Sequence, residues 1–88
     1  MRLAPTKDPE DTVDYGFDWT DELAGDDITA STWSVVDAAL DDASFTATHT
    51  TVWLSGGAAG TTIYATNTIS TALGRVLNRT LQIPCDER

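Results

Sequence analysis

Residues 50–83 alternate apolar and polar side chains with a period of two. Val52 and Leu54 alternate with Thr51, Trp53 and Ser55. Ile63, Ala65, Asn67 and Ile69 alternate with Tyr64, Thr66, Thr68 and Ser70, and Leu77, Leu81 and Ile83 with Asn78, Thr80 and Gln82. That period sets alternate side chains on one face of a pleated strand, and Thr, Val, Ile and aromatic residues suit such a half-buried surface. Gly56, Gly57 and Gly60 divide the first run from the second, and Gly74 divides the second from the third, as tight connections require. The stretch therefore predicts a three-strand meander with one apolar face, which is unstable until the rest of the chain covers it. Trp53 falls on the outward side. Asn67 and Arg79 fall on the apolar side. The pattern there admits a hydrogen-bonded core amide and an arginine near a sheet edge, or, for Arg79, a face that meets a partner.

Val13, Tyr15, Phe17 and Trp19 alternate with Asp14, Gly16 and Asp18 and predict a first strand with four large apolar groups on one face. Residues 20–26 read as a turn or a single helical turn anchored by Leu23, with Asp18 or Thr20 as its cap. Residues 27–36 predict a second strand. Ile28 and Ala30 are out of phase with Trp33 and Val35, so a bulge is expected near Ser31 and Thr32. Residues 37–42 read as a loop or a short turn and residues 43–48 as a weak strand centred on Phe45. Pro5 and Pro9, set among charged residues, make residues 1–11 an arm with neither ladder nor packed face, disordered alone or ordered on a neighbouring subunit. The prediction is an all-β fold: a small Greek-key β-sandwich of immunoglobulin-like or fibronectin-like form over residues 12–84, with an extended N-terminal arm (1–11) and a short tail (85–88). Phe17, Trp33, Val35, Leu54, Ile69 and Leu81 are expected in the core, and helix is expected to be scarce.

Charge changes the picture. The 88 residues carry a net charge of −9. Residues 1–42 hold twelve of the fourteen acids and two bases, whereas residues 43–85 hold no acid and two arginines. Such a chain repels phosphate backbones, which argues against nucleic acid and for a basic protein surface. Acids also keep a small β protein soluble and protect its sheet edges. No apolar run approaches the ~18 residues of a membrane span, and the first residues do not read as a signal peptide.

Candidate chemistry is sparse. The lone Cys85 excludes an internal disulfide and a multi-cysteine zinc site. His49 and Cys85 are the one conceivable nucleophilic pair. Asp14, Asp18, Asp21 and Glu22 lack the alternate-oxygen spacing of a calcium loop. Asp26-Asp27 and Asp41-Asp42 could meet a cation at one end of the sandwich, although acid pairs in turns are usually solvated. Residues 56–60, GGAAG, lack the Lys-Ser/Thr of a phosphate loop. No enzymatic activity, metal or cofactor is expected.

The succession KDPEDTVDYGFDW (7–19), GDDITASTW (25–33), TVWLSGG (51–57), GTT (60–62), TNTI (66–69) and Gly74-Arg75 resembles the short immunoglobulin-like structural proteins of tailed bacteriophages known as fibre-tail adaptors. The likeness runs in order through nearly the whole chain. One departure is that Tyr64 stands one place after Ile63, where the family pattern sets its aromatic. The resemblance implies a non-enzymatic virion protein, assembled in the host cytoplasm, that links the tail tube or nozzle to a fibre in a symmetric assembly of several copies. A capsid decoration protein is the alternative. A small carbohydrate-binding module with Trp19, Trp33 or Trp53 as stacking platform is the third reading. The expected partner-binding residues are Lys7, Asp8, Pro9, Glu10 and Asp11 of the arm, with Trp53, Arg75 and Arg79.

Overall fold

The computed structural model describes residues 2–3, 7–8 and 10–86. The chain runs β1 (Arg2–Leu3), β2 (Val13–Asp18), α1 (Thr20–Leu23), β3 (Ile28–Val36), β4 (Ala39–Phe45), β5 (His49–Ser55), β6 (Thr61–Thr71) and β7 (Val76–Cys85). Two sheets face each other, with strand orders β1-β7-β6-β3 and β2-β5-β4. Among the described residues every pairing is antiparallel except that of β1, which lies parallel to β7, and the isolated parallel bridge of Lys7 to Cys85. This is the two-sheet Greek key of immunoglobulin-like domains, and the all-β expectation holds. The single helical turn forms where expected, with Leu23 buried beneath it and its first N–H, at Thr20, bonded to the Asp18 carboxylate.

The local reading of residues 50–83 needs correction. β5 does not pair with β6; it lies between β2 and β4 in the opposite sheet. Val52 and Leu54 on β5 and Ile63, Ala65 and Ile69 on β6 all need covering, and facing sheets let each set cover the other. Residues 56–60 carry the chain across. Gly57 has φ +99°, and a Cβ there would lie 2.9 Å from the Cys85 sulfur, so this crossing needs glycine.

Three further boundaries differ. The bulge on β3 falls between Ile28 and Ala30, not at Ser31 and Thr32. Residues 39–42 are strand, not loop: Leu40 stands opposite Leu54 and Ala43 opposite Val52, and a bulge between Leu40 and Asp42 absorbs the extra residue. The arm does form a ladder. Arg2 and Leu3 pair with Leu81 and Gln82, the Lys7 N–H bonds the Pro84 carbonyl at 2.8 Å, and the Asp86 N–H bonds the Lys7 carbonyl at 2.9 Å. The prolines leave these N–H groups free to pair, and the open edge of β7 receives them. Pro5 and Pro9 lie outside the described residues.

Phe17, Leu54, Ile69 and Leu81 are buried as expected, with Trp19, Val52, Ile63 and Ile83 beside them. Trp33 and Val35 are only partly covered, because β3 ends its sheet. At the centre sits Asn67, fully buried. Its Oδ1 accepts from Trp19 Nε1 at 3.1 Å and Thr50 Oγ1 at 2.7 Å, and its Nδ2 donates to Ser31 Oγ at 2.9 Å and the Thr32 carbonyl at 3.0 Å. The pattern break at Asn67 is thus a satisfied core amide.

Removing that amide strands several buried polar groups, each costing about 1–3 kcal/mol. Asn67→Ala is expected to destabilise the fold by about 2–4 kcal/mol in urea denaturation, against less than about 0.5 kcal/mol for the outward Asn78→Ala. Equal midpoints for the two variants would contradict the central role of Asn67.

Candidate functional site

The two sheets present outer faces of different chemistry. On the β2-β5-β4 sheet the outward residues fall in cross-strand rows. Asp14, Trp53 and Asp42 form one row, Gly16, Thr51 and Ser44 the next, and Asp18 pairs with His49. Trp53 is 40 % exposed and so stands between two carboxylates. A shallow depression of ≈ 360 Å³ runs over Gly16 along β2 and β5, lined by Asp14, Asp18 and His49 among others. A Cβ at Gly16 would lie 2.4 Å from the Thr50 carbonyl oxygen, so the strands approach here as only glycine allows. His49 Nε2 lies 3.6 Å from Asp18, and its Nδ1 lies 2.7 Å from the Thr48 hydroxyl. The Asp18 carboxyl is held below the ordinary aspartate range, first by the Thr20 hydroxyl, then by the Thr20 N–H, with smaller contributions from the His49 and Arg79 charges.

The outer face of β3, β6 and β7 carries no charged side chain among the described residues. Its rows are Thr32, Thr68 and Asn78; Ser34, Thr66 and Thr80; Val36, Tyr64 and Gln82. Thr68 donates to Asn78 Oδ1 at 2.7 Å, and the Thr66 and Thr80 hydroxyls lie 3.0 Å apart. These bonds hold a pre-ordered hydroxyl surface. Tyr64 joins it, 37 % exposed, which is where its one-place displacement from Ile63 puts it.

The expected partner residues divide. Trp53 faces outward, and Glu10 and Asp11 are exposed. Asp8 is half-buried and shapes the arm's turn, with Oδ1 accepting the Glu10 N–H. Pro9 lies outside the described residues. Lys7 is fully buried, its Nζ donating to the Gly56 carbonyl at 2.7 Å and the Asp8 carbonyl at 2.8 Å. Arg79 turns inward, 4.6 Å from the Trp19 ring centre and 5.4 Å from that of Phe17, and pairs with Glu22. Arg75 binds Asp26 Oδ2 through Nε at 3.2 Å and Nη2 at 3.1 Å. It also donates to the Leu23 carbonyl at 2.7 Å and the Glu22 carbonyl at 3.3 Å, the open C-terminal end of α1. Lys7, Arg75 and Arg79, expected among the partner-binding residues, are engaged within the chain instead: both arginines meet acids of the first half of the chain. The sheet holding Trp53 is not acid-free either, since β2 and β4 flank β5 with aspartates. Sequence reasoning missed the Asp14–Trp53–Asp42 row because it placed β5 beside β6.

Among the described residues no cluster of three or more His, Cys, Asp or Glu side chains gathers to hold a metal. Asp26 is committed to Arg75, and Asp41 accepts the Ser55 hydroxyl. His49 begins β5, whereas Cys85 lies buried beside Gly57 just beyond the other end of that strand. A strand of this length spans about 20 Å, so the two do not form a nucleophile–base pair.

The family described as "Podophage GP4 fiber-tail adaptor protein gp77" matches the chain over residues 7–84. No curated protein matches it.

Asp26 gives the fold a pH dependence of defined sign. Its carboxyl is pushed below the ordinary aspartate range, chiefly by the Thr71 hydroxyl, then by the Asp27 N–H, Arg75 and the Leu73 N–H, which together outweigh burial. A folded-state pKa below the unfolded value stabilises at pH above the unfolded pKa, about 4, and that contribution is lost as pH falls through the folded value. Tm should therefore stay level from about pH 7 to 5 and fall below about pH 4. Asp26→Asn should lower Tm at neutral pH and flatten the acid limb in scanning calorimetry; an unchanged limb would remove Asp26 from this role.

Proposed function

The chain belongs to the podophage fibre-tail adaptor family, and from that premise we propose that it joins the tail tube or nozzle to a fibre, with one partner on each outer face of the sandwich. Family membership gives it a structural adaptor role in the phage particle, bound to other virion proteins. The observation that carries the finer reading is the contrast between the two faces. The acidic face, with Trp53 between Asp14 and Asp42, suits a basic protein surface: opposite charge steers and orients docking, and an exposed Trp is the kind of side chain that anchors an interface. The hydroxyl face suits an uncharged partner, because docking there buries no unpaired charge. A net charge of −9 disfavours nucleic acid as a third ligand. The separation of His49 from Cys85 and the commitment of Asp26 to Arg75 support a non-enzymatic role. Several copies on a symmetric tail, assembled in the host cytoplasm, complete the proposal.

Complementation of a phage lacking the gene tests this directly. The pair Asp14→Lys, Asp42→Lys and the pair Thr66→Glu, Thr68→Glu each change one face, and urea midpoints confirm that both variants fold. Each pair is expected to reduce incorporation or fibre content at least tenfold, one by losing the chain from the tail and the other by leaving the chain on a fibreless tail. Loss of the same neighbour from both, or of neither, would contradict one partner per face.

A further inference from the structure

The sandwich is open along one side. The two sheets end there at β3 and β4, and neither strand pairs with another beyond it among the described residues. Leu40, Ala43 and Phe45 on β4 stand opposite Leu54, Val52 and Thr50, all buried. They therefore point to the core side of their sheet, yet Leu40 is 43 % and Phe45 44 % exposed. Trp33 and Val35 of β3 stand opposite buried Asn67 and Ala65 and are only partly covered. The Trp33 indole N–H is buried with no acceptor among the described residues. The other side of the sandwich is closed, by the arm along β7 and by Arg79 with Glu22 over Phe17 and Trp19. The open side thus forms an apolar groove between two edge strands, spanned at one end where the Ile28 N–H bonds the Ala47 carbonyl at 2.9 Å, with β4 at the edge of its sheet along the rest.

Charge says what fits it. Asp37, Asp41 and Asp42 lie on the turn into β4 and on β4 itself, and none is paired with a lysine or arginine among the described residues. A second copy of this chain would bring further acid against them. We propose that the groove receives an extended segment of a different virion protein, laid along β4 as an added strand, with apolar side chains entering between the sheets and lysine or arginine beside them. Strand addition supplies affinity through main-chain hydrogen bonds and specificity through the pockets for alternate side chains. The inference rests on the adaptor reading, to which it adds the site and the chemistry of one contact.

Photo-crosslinking in assembled particles tests it. p-Benzoylphenylalanine placed at Phe45, with Thr68 as the control position on the hydroxyl face, is irradiated and the crosslinked peptides are sequenced. The expected adduct at Phe45 is a single peptide of another virion protein with apolar residues next to lysine or arginine, absent from the Thr68 control. Asp41→Lys, which leaves the Asp14–Trp53–Asp42 row intact, should reduce that adduct at least tenfold per incorporated chain. A crosslink to a second copy of this chain, an acidic peptide, or no adduct in particles that carry the chain at normal copy number would overturn the groove proposal and leave the adaptor reading standing. Particles that assemble with fibres but without the chain would overturn both.

Discussion

A single buried amide holds the two sheets in register. Asn67 uses both acceptor sites on its oxygen and both N–H groups on its nitrogen, the full capacity of the side chain. Its partners come from both sheets and from the chain after β2, so it can be satisfied in one arrangement only. A slip of one residue on β6 would turn Asn67 outward and bring Thr66 and Thr68 into the core. In a low-dielectric interior such a mistake leaves donors and acceptors stranded. The network therefore decides which side chains face outward, and with them the chemistry of the two faces.

Around that centre the ionic side chains act mainly to close the fold. Arg75 ties the β6–β7 turn to the end of α1, and Arg79 covers Phe17 and Trp19 while pairing with Glu22. Each brings an arginine of the acid-free half of the sequence against an acid of the acidic half. Lys7 does comparable work at the other end with backbone carbonyls alone. Once these bases are spent internally, the aspartates of β2 and β4 dominate one face, and the opposite face keeps hydroxyls, amides, Tyr64 and the exposed Val36 and Val76. An adaptor gains from this division, since two partners need not compete for one kind of surface.

Much of this was legible in the sequence, for identifiable reasons. Period-two runs located the strands and most of the core, and an amide on the apolar side of a strand pointed to a satisfied buried group. What failed was anything fixed by long-range pairing. The glycines after Ser55 signal a turn, but a hairpin and a crossing between sheets use the same residues. That ambiguity moved β5 to the wrong sheet and hid Asp14 and Asp42 from Trp53. The prolines of the arm obscured the residues around them that do pair. Asp41 and Asp42 read as loop because acids are poor strand formers, whereas a bulge on an edge strand tolerates them. The direction of Arg75 and Arg79 could not be read at all, because their partners lie roughly fifty residues away in sequence.

The central claim is that register places two unlike faces on opposite sides of one small domain and that each holds a different protein. A density map of the assembled tail, at a resolution that places the strands of this chain, measures this most directly. The account predicts the acidic β2-β5-β4 face against a basic surface of one virion protein and the hydroxyl face of β3, β6 and β7 against another. Both faces against the same protein, or the Trp53 face open to solvent in the mature particle, would contradict it.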